Sequence, residues 1–349
     1  MEKISVKDQI LTNPYKNLKS TPYRLVAAGA GPNNVTLPNG DIIDTDQLKI
    51  SLKYPCLYAW NAEKKALLKF LEYKKLNENT SDLMIDSGAY SAWSKNKLFD
   101  IDEYIHFLSD NDILKYAFWA AEADKIPGSF GVDPKKEEIL NAPKESWNNY
   151  LYMIERVKYP KKIIPIFHQG EDLFFLKQML SYKFSDGEHI PYIGISPRND
   201  VNVSSKIKWY EIVWKVIEDS DNKNVLTHNF GMTTLSVIEQ YPSFSSDSTS
   251  WLRSGVFGNI QPIINSSVKN ICISNRRIHD KDHINHKSKE FRSAVDKYCR
   301  ELGYGFTLDA LLNDDVGNLR PIFNLLSLNK WRTDFNFNGN SLYKEDIWS

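Results

Sequence analysis

The sequence predicts an α/β protein folded as a (β/α)8 TIM barrel, and three of its features support this prediction. Short apolar runs recur at intervals of roughly 20 to 45 residues, which is the span of a βα unit. Longer amphipathic segments lie between the runs. The runs are nearly continuous in apolar residues, which is typical of parallel strands buried on both faces. Eight runs with interleaved helices favour a closed barrel, and a doubly wound open sheet is the alternative.

The elements are assigned in chain order from these runs. The predicted strands are Pro55–Trp60, Leu83–Ile85, Tyr116–Ala121, Ile163–Phe167, Tyr192–Ile195, Val225–Leu226, the residues around Phe244, and Asn270–Ile273. The predicted helices are Ala62–Tyr73, Asp102–Leu108, Ala142–Val157, Asp172–Leu180, Lys206–Ile217 and a short one from Thr233 to Gln240.

The two ends of the chain do not follow this repeat. Leu25–Gly31 predicts a strand and a turn, and Asn39-Gly40 predicts a hairpin between two short apolar segments. We interpret residues 1–50 as an N-terminal extension that plugs or flanks the barrel, residues 51–280 as the catalytic barrel, and residues 281–349 as a C-terminal helical, partly basic segment and tail.

Composition limits the function classes. The chain has 349 residues with 44 basic and 44 acidic side chains, so any contact with phosphate must come from a local patch rather than from net charge. The three cysteines, Cys56, Cys272 and Cys299, form no CxxC, which argues against a disulfide scaffold and a cysteine-rich zinc site. The charged N-terminus and the absence of a long apolar stretch predict a cytoplasmic protein without a membrane partner.

Polar residues follow six consecutive predicted strands, where a TIM barrel carries its active site. They are Asp86, Asp124, Gln169, Gly194, His228 and Asp247. Two carboxylates on opposite sides of a barrel mouth can combine acid/base catalysis with nucleophilic attack at a sugar carbon. This pattern is compatible with a glycoside hydrolase or with a transferase acting on an N-glycosidic bond.

Several motifs resemble those of a known family. DSGAY at Asp86–Tyr90 resembles the DSGGF motif of tRNA-guanine transglycosylases. The motifs DSGAYSAW, FHQGED, YIGISPRND, THNFGMT and SSDSTSW resemble more closely the phage-encoded relatives that insert 7-deazaguanine derivatives into DNA. The resemblance covers about residues 54–275.

The resemblance implies a role for each matched residue. Asp247 would be the nucleophile that attacks C1′, and Asp86 the general acid/base. Asp124 would bind the Watson–Crick edge of the base, although Glu122 is an alternative. Gln169 and the backbone of Gly194 would read O6. The other base-binding candidates are Ser87, Tyr90, Met232, His168 and His228, of which the two histidines follow from their strand-end positions alone.

The resemblance also implies the partners. These are DNA, with tRNA as the alternative, and a 7-deazaguanine base such as preQ0, in the cytoplasm of a host cell if the protein is phage-encoded. No cofactor is needed, because one N-glycosidic bond replaces another. The neutral net charge leaves room for a helper protein that opens the duplex. A catalytically dead nucleic-acid-binding relative is the remaining hypothesis.

Two further groups of residues have side chains of the types that bind a metal ion or phosphate. The tRNA enzymes carry a zinc site near the end of the barrel, but Cys272 and Cys299 cannot supply it here, so we predict no metal. We interpret His279, His283 and His286 as part of a solvated basic surface. The candidates for phosphate contact are Arg198, Arg253, Arg276 and Arg277.

Overall fold

A computed structural model describes residues 2–5, 8–15, 24–77, 81–238, 240–241, 243–265, 267–314 and 316–337. The chain groups into two compact units. The first contains the described residues up to Val26 and the segment Pro55–Asp247. The second contains Ala27–Tyr54 and the described residues from Ser248 onward.

The main sheet is a (β/α)8 barrel, as the sequence predicts. Its strands are β1 (Arg24–Ala28), β2 (Cys56–Ala59), β3 (Leu83–Asp86), β4 (Trp119–Ala121), β5 (Ile163–Ile164 and Ile166–His168), β6 (Tyr192–Ser196), β7 (Leu226–Asn229) and β8 (Ser245–Ser248). Consecutive strands are neighbours in the sheet, and β8 lies next to β1. The two segments of β5 pair with β4 and with β6, so the sheet closes into a ring.

The predicted eighth strand is wrong, although eight runs were counted. In the run Asn270–Ile273, Ile271–Cys272 pairs with Asn259–Ile260 in a separate two-stranded antiparallel sheet of the second unit. The missing barrel strand is Arg24–Ala28, in the region interpreted as an extension. Both segments are short and apolar, so their composition does not distinguish them; only the pairing partners do. The predicted hairpin is confirmed, because Val35–Thr36 pairs with Ile42–Ile43.

Helices follow most strands of the first unit. They are Trp60–Leu76, Ala89–Ser94, Ile101–Ser109, Ile113–Tyr116, Lys136–Ile154, Leu173–Ser181, Val203–Glu218 and Leu235–Ile238. Three of them begin at a side chain that accepts a backbone N–H of the first turn, namely Asp100, Asp172 and Asn202. These caps fix where each strand-to-helix loop ends.

Aromatic rings fill the region where the strands of the first unit begin. The Arg24 guanidinium lies 4.5 Å from the centre of the Phe244 ring and forms an ion pair of 2.7 Å with Asp82. The Phe118 ring stacks on the Phe244 ring, and the Tyr192 ring packs edge-on against Phe244. This packing occupies the amino-terminal end of the barrel.

The second unit has its own helices and core. Its helices are Thr45–Ser51, Ser250–Val256, Lys289–Leu302, Leu308–Leu312 and Leu319–Phe337. Ser250–Val256 approaches Leu319–Phe337 closely at Gly255, where a Cβ would lie 2.6 Å from Pro321. The buried Asn324 amide donates to the Trp251 and Asn259 carbonyls. In the part of the chain that the structure describes, no helix is long and apolar enough to cross a membrane.

Candidate functional site

A cavity of about 730 Å³ opens at the carboxyl ends of the barrel strands in the first unit. This volume is within the range of small-molecule sites, roughly 300 to 1,000 Å³. Its walls come from the segments that follow β3, β4, β5, β6 and β7. The polar side chains that line it are Asp86, Tyr90, Asp124, Lys125, His168, Gln169, Glu171, Ser196, Arg198 and Asn199.

Asp86 is the last residue of β3 and lies in a tight turn. Gly88 follows with φ of +75°, a left-handed conformation that favours glycine, and it begins the helix Ala89–Ser94. The Gly88 N–H donates to the Asp86 carboxylate over 3.3 Å. Burial, and then the negative charges of Asp124 and Asp247, raise the pKa of Asp86 to about 7. This carboxyl group can therefore both give and take a proton near neutral pH.

Asp124 follows β4 and faces the same cavity. Its side chain is only 12% exposed, and its carboxylate lies 3.5 Å from Nε2 of His168. Burial raises the pKa of Asp124, while His168 and a hydrogen bond from the Ser87 side chain act in the opposite direction. Ser87 is itself buried beneath the loop. Ser87 therefore contacts the Asp124 carboxylate and helps to hold it in place.

Glu122, the alternative to Asp124, does not line the cavity. Its side chain is fully buried, and Oε1 accepts the backbone N–H of Ile166 over 2.7 Å. Pro165 interrupts β5 and cannot donate a hydrogen bond, so the Glu122 carboxyl group joins the sheet beside the interruption. Burial raises the pKa of Glu122 well above its ordinary value. Glu122 therefore has a structural position, and Asp124 is the acid available to a ligand.

Asp247 is the third residue of β8 and is 7% exposed. Its Oδ1 accepts the Gly231 N–H over 2.8 Å and lies 3.2 Å from Nε2 of His228. Asp247 itself is not among the residues that line the cavity, but Gly231 is. The negative charge of Asp247 contributes to the raised pKa of Asp86, so the two carboxyl groups interact electrostatically.

Gln169 and Arg198 meet at the cavity wall. The Gln169 side-chain oxygen accepts the backbone N–H of Arg198 over 3.0 Å, which fixes the amide group. The Arg198 guanidinium is exposed and pairs with Asp200. Tyr90 is 62% exposed at the rim, where its ring lies 5.6 Å from that of Trp93. These three predicted site residues thus border the same opening.

Four predicted base-binding residues do not line the cavity, namely Ser87, Gly194, His228 and Met232. Ser87 and His228 are fully buried, and Met232 is 1% exposed. Gly194 lies inside β6, where a Cβ would be 2.5 Å from the Phe230 ring. The Phe230 ring therefore occupies the space next to Gly194, and Phe230 and Gly231 line the cavity there.

Sequence reasoning missed Glu171 as a cavity residue. Of the adjacent acids Glu171 and Asp172, Asp172 caps the following helix. Glu171 lines the cavity and accepts the His168 backbone N–H over 3.0 Å. Burial raises the pKa of Glu171. No signal in the sequence separates these two adjacent acids, because either can accept a backbone N–H.

The remaining predicted contacts belong to the second unit. Arg253, Arg276 and Arg277 are exposed, and Arg277 pairs with Asp280 over 2.7 Å. Their contact with nucleic acid stays a prediction.

The three histidines of the basic segment are also in the second unit. The interpretation of a solvated surface is wrong for His283, which is fully buried and whose Nδ1 accepts the Asn285 N–H. His279 and His286 are exposed, and His286 Nε2 donates to the Ile278 carbonyl. Among the described residues, no three His, Cys, Asp or Glu side chains are grouped so that they could hold a metal ion.

Comparisons with known proteins add little to this geometry. No family model matches the chain, and no curated protein matches it. Among solved structures, tryptophan synthase from M. tuberculosis matches with a TM-score of 0.33 and 10% sequence identity. The match covers 68% of this chain and 87% of that chain. A similarity of this size does not bear on function.

Proposed function

We propose that this chain is a nucleobase transglycosylase that exchanges guanine in DNA for a 7-deazaguanine base. The observation that carries the proposal is that two carboxyl groups in different surroundings interact electrostatically: Asp86 lines the cavity, and Asp247 bonds the cavity residue Gly231. Asp86 has a pKa raised to about 7. Asp247 accepts a hydrogen bond from the Gly231 N–H and lies within hydrogen-bond distance of His228 Nε2. One group is suited to proton transfer and the other to nucleophilic attack.

In the first half-reaction, an oxygen of Asp247 attacks C1′ of the target nucleotide. The bond from C1′ to N9 breaks, and its electron pair leaves with guanine. Asp86 donates its proton to the departing base. The product is a sugar ester of Asp247, which conserves the glycosidic bond energy and needs no external energy source.

In the second half-reaction, the incoming base replaces guanine in the cavity. Asp86, now ionised, removes the proton from its N9, and N9 attacks C1′. The ester bond to Asp247 breaks and the carboxylate is restored. Asp86 returns to its protonated form, so atoms, electrons and protons balance over one exchange.

The cavity offers groups for purine recognition. The Asp124 carboxylate can accept N1–H and the exocyclic amine of guanine, and the Gln169 amide group is positioned to contact O6. Tyr90 provides an aromatic surface at the rim. A base in a duplex can reach this cavity only after leaving the stack, so the proposal includes base flipping. The choice of DNA over tRNA rests on the motif resemblance.

The test is incorporation of a labelled base. Duplex DNA and, separately, tRNA are incubated with the protein and radiolabelled preQ0 or guanine, and then digested to nucleosides. We expect label in the DNA nucleosides, and loss of incorporation by at least about 10³-fold in Asp247→Asn and Asp86→Asn. Asp133→Asn, a change at an exposed aspartate outside the cavity, is the matched control and should retain activity.

Other outcomes would change the assignment. Label in tRNA alone would move the substrate to RNA. Release of guanine without incorporation would identify an N-glycosidase that uses the same carboxyl groups. DNA binding without either product would favour a catalytically inactive relative. A covalent protein–DNA adduct that forms in wild type and is absent in Asp247→Asn would identify the nucleophile.

A further inference from the structure

A chain of buried hydrogen bonds lies behind Asp247. Tyr192 Oη is 2.6 Å from Ser245 Oγ, and the same Ser245 oxygen is 2.6 Å from His228 Nδ1. His228 Nε2 then lies 3.2 Å from Asp247 Oδ1. The four side chains come from β6, β7 and β8. This sequence of contacts runs from the barrel core to the mouth.

The carboxylate of Asp247, at one end of this chain, determines which group donates and which accepts in each hydrogen bond. An ionised carboxylate can only accept, so His228 must donate from Nε2. Its Nδ1 is then an acceptor and takes the Ser245 hydroxyl proton. Ser245 in turn accepts from the Tyr192 hydroxyl. The network therefore specifies the neutral Nε2–H tautomer of His228.

The surroundings of His228 support a neutral ring. The side chain is fully buried, and the Trp119 and Phe230 rings meet it edge-on at 4.7 and 4.5 Å between ring centres. Burial lowers the pKa of His228 and raises that of Tyr192. The titratable groups with which His228 and its Ser245 partner make contact are Asp247 and Tyr192. Asp247 acts against burial and raises the pKa of His228, but burial is the larger effect.

We propose that His228 is a positioning residue, held by Ser245 and Tyr192, that orients the Asp247 carboxylate for attack on C1′. This inference rests on the proposed function. The Gly231 N–H and the His228 Nε2–H both point to Oδ1, so this oxygen is held by two donors. The other oxygen, Oδ2, is then the nucleophilic atom. His228 never touches the reacting atoms; it fixes which oxygen faces them.

The first experiment does not require activity. Wild-type protein labelled with ¹⁵N-histidine is compared by NMR with His228→Gln, which identifies the His228 signals among those of seven histidines. We expect the neutral Nε2–H tautomer at pH 7, with Nδ1 as acceptor. Ser245→Ala should shift the Nδ1 resonance. A protonated ring, or the Nδ1–H tautomer, would overturn the inference.

The second experiment measures base exchange with full-length protein. His228→Phe retains an aromatic ring without a donor, whereas His228→Gln can place an amide N–H near the position of Nε2. We expect kcat to fall by about 10²-fold in His228→Phe, with KM for the incoming base within about threefold of wild type. His228→Gln should recover to within about tenfold of wild type.

A matched pair of hydroxyl deletions separates positioning from folding. Tyr192→Phe removes the end of the hydrogen-bond chain and should lower kcat by about fivefold. Tyr150→Phe removes another buried hydroxyl of the first unit, for which the described residues provide no hydrogen-bond partner, and should leave kcat unchanged. Equal effects in the two variants would overturn the inference, as would full activity in His228→Phe.

The two experiments separate the inference from the proposed function. If wild type shows no base exchange but has the expected His228 tautomer, the proposed function fails while the hydrogen-bond chain stands. If exchange occurs and the tautomer or the kcat pattern is absent, the function stands and the role of His228 fails.

Discussion

At the scale of single residues, the raised pKa of Asp86 suits its carboxyl group to proton transfer near neutral pH and makes the stability of the fold depend on pH. Its carboxyl group is partly exposed at the cavity, yet burial and two neighbouring carboxylates raise its pKa from 3.8 to about 7. The unfolded chain loses this proton near pH 4, while the folded protein keeps it until about pH 7. The folded state therefore binds more protons between these values, and stability falls as pH rises through this window.

This reasoning predicts that Asp86→Asn stabilises the fold at alkaline pH. The full shift corresponds to roughly 4 kcal/mol, and partial exposure reduces it, so we expect a gain of about 1–2 kcal/mol in the free energy of unfolding at pH 8. The gain should disappear below about pH 4, where Asp86 is protonated in both states. Urea unfolding at pH 4, 6 and 8 measures it, with Asp133→Asn as the control. An Asn variant less stable than wild type at pH 8 would contradict the pKa shift.

Among the elements, β5 shows how a side chain repairs an interrupted strand. Pro165 separates Ile163–Ile164 from Ile166–His168, and Glu122 accepts the Ile166 N–H at the break. The Glu122 backbone N–H bonds the Ile164 carbonyl on the other side. The backbone and side chain of one residue thus hold both segments of β5 in the ring.

This arrangement predicts different results for two Glu122 variants. Burial raises the pKa of Glu122, which favours the neutral carboxyl group, and Glu122→Gln keeps its shape and an acceptor oxygen. We expect Glu122→Gln to cost less than about 1 kcal/mol in the free energy of unfolding. Glu122→Leu leaves the Ile166 N–H without its acceptor and should cost about 2–3 kcal/mol. Urea unfolding at pH 7 compares them, and equal stability of the two variants would exclude this role.

On the scale of the whole molecule, barrel closure depends on the first described strand. β1 lies between β2 and β8, so removing it opens the sheet and exposes the hydrogen-bonding edges of both neighbours. Arg24 at the start of β1 also makes the ion pair with Asp82 and packs against the aromatic cluster. The strand Arg24–Ala28, which lies before residue 51, is therefore part of the barrel.

A chain that begins at residue 51 should fail to form the native barrel. We expect it to lose the cooperative urea transition of the full chain and to have little near-ultraviolet circular dichroism, because tertiary packing is lost. Circular dichroism and size-exclusion chromatography compare it with the full chain. A cooperative transition at the full-chain midpoint would mean that β1 is dispensable.

The sequence determined the fold class and the residues at the barrel mouth. Periodic apolar runs encode strands and helices locally, and the carboxyl ends of parallel strands necessarily meet at one end of the barrel. For this reason the sequence alone assigns Asp86, Asp124, His168 and Gln169, each of which ends or follows a strand, to one site, and all four line the cavity.

Only the tertiary structure decided which run closes the barrel and which polar groups face the cavity. Leu25–Ala28 and Ile271–Cys272 are both apolar, and only their strand partners distinguish them. The first lies next to β8, more than 200 residues further along the chain, and the second pairs with Asn259–Ile260 in a separate sheet. Glu122 and Asp124 differ by two positions, yet one completes the sheet and the other faces the cavity. The hydrogen-bond chain from Tyr192 to Asp247 joins three strands. Such contacts depend on distances between residues far apart in the chain, which a local pattern does not encode.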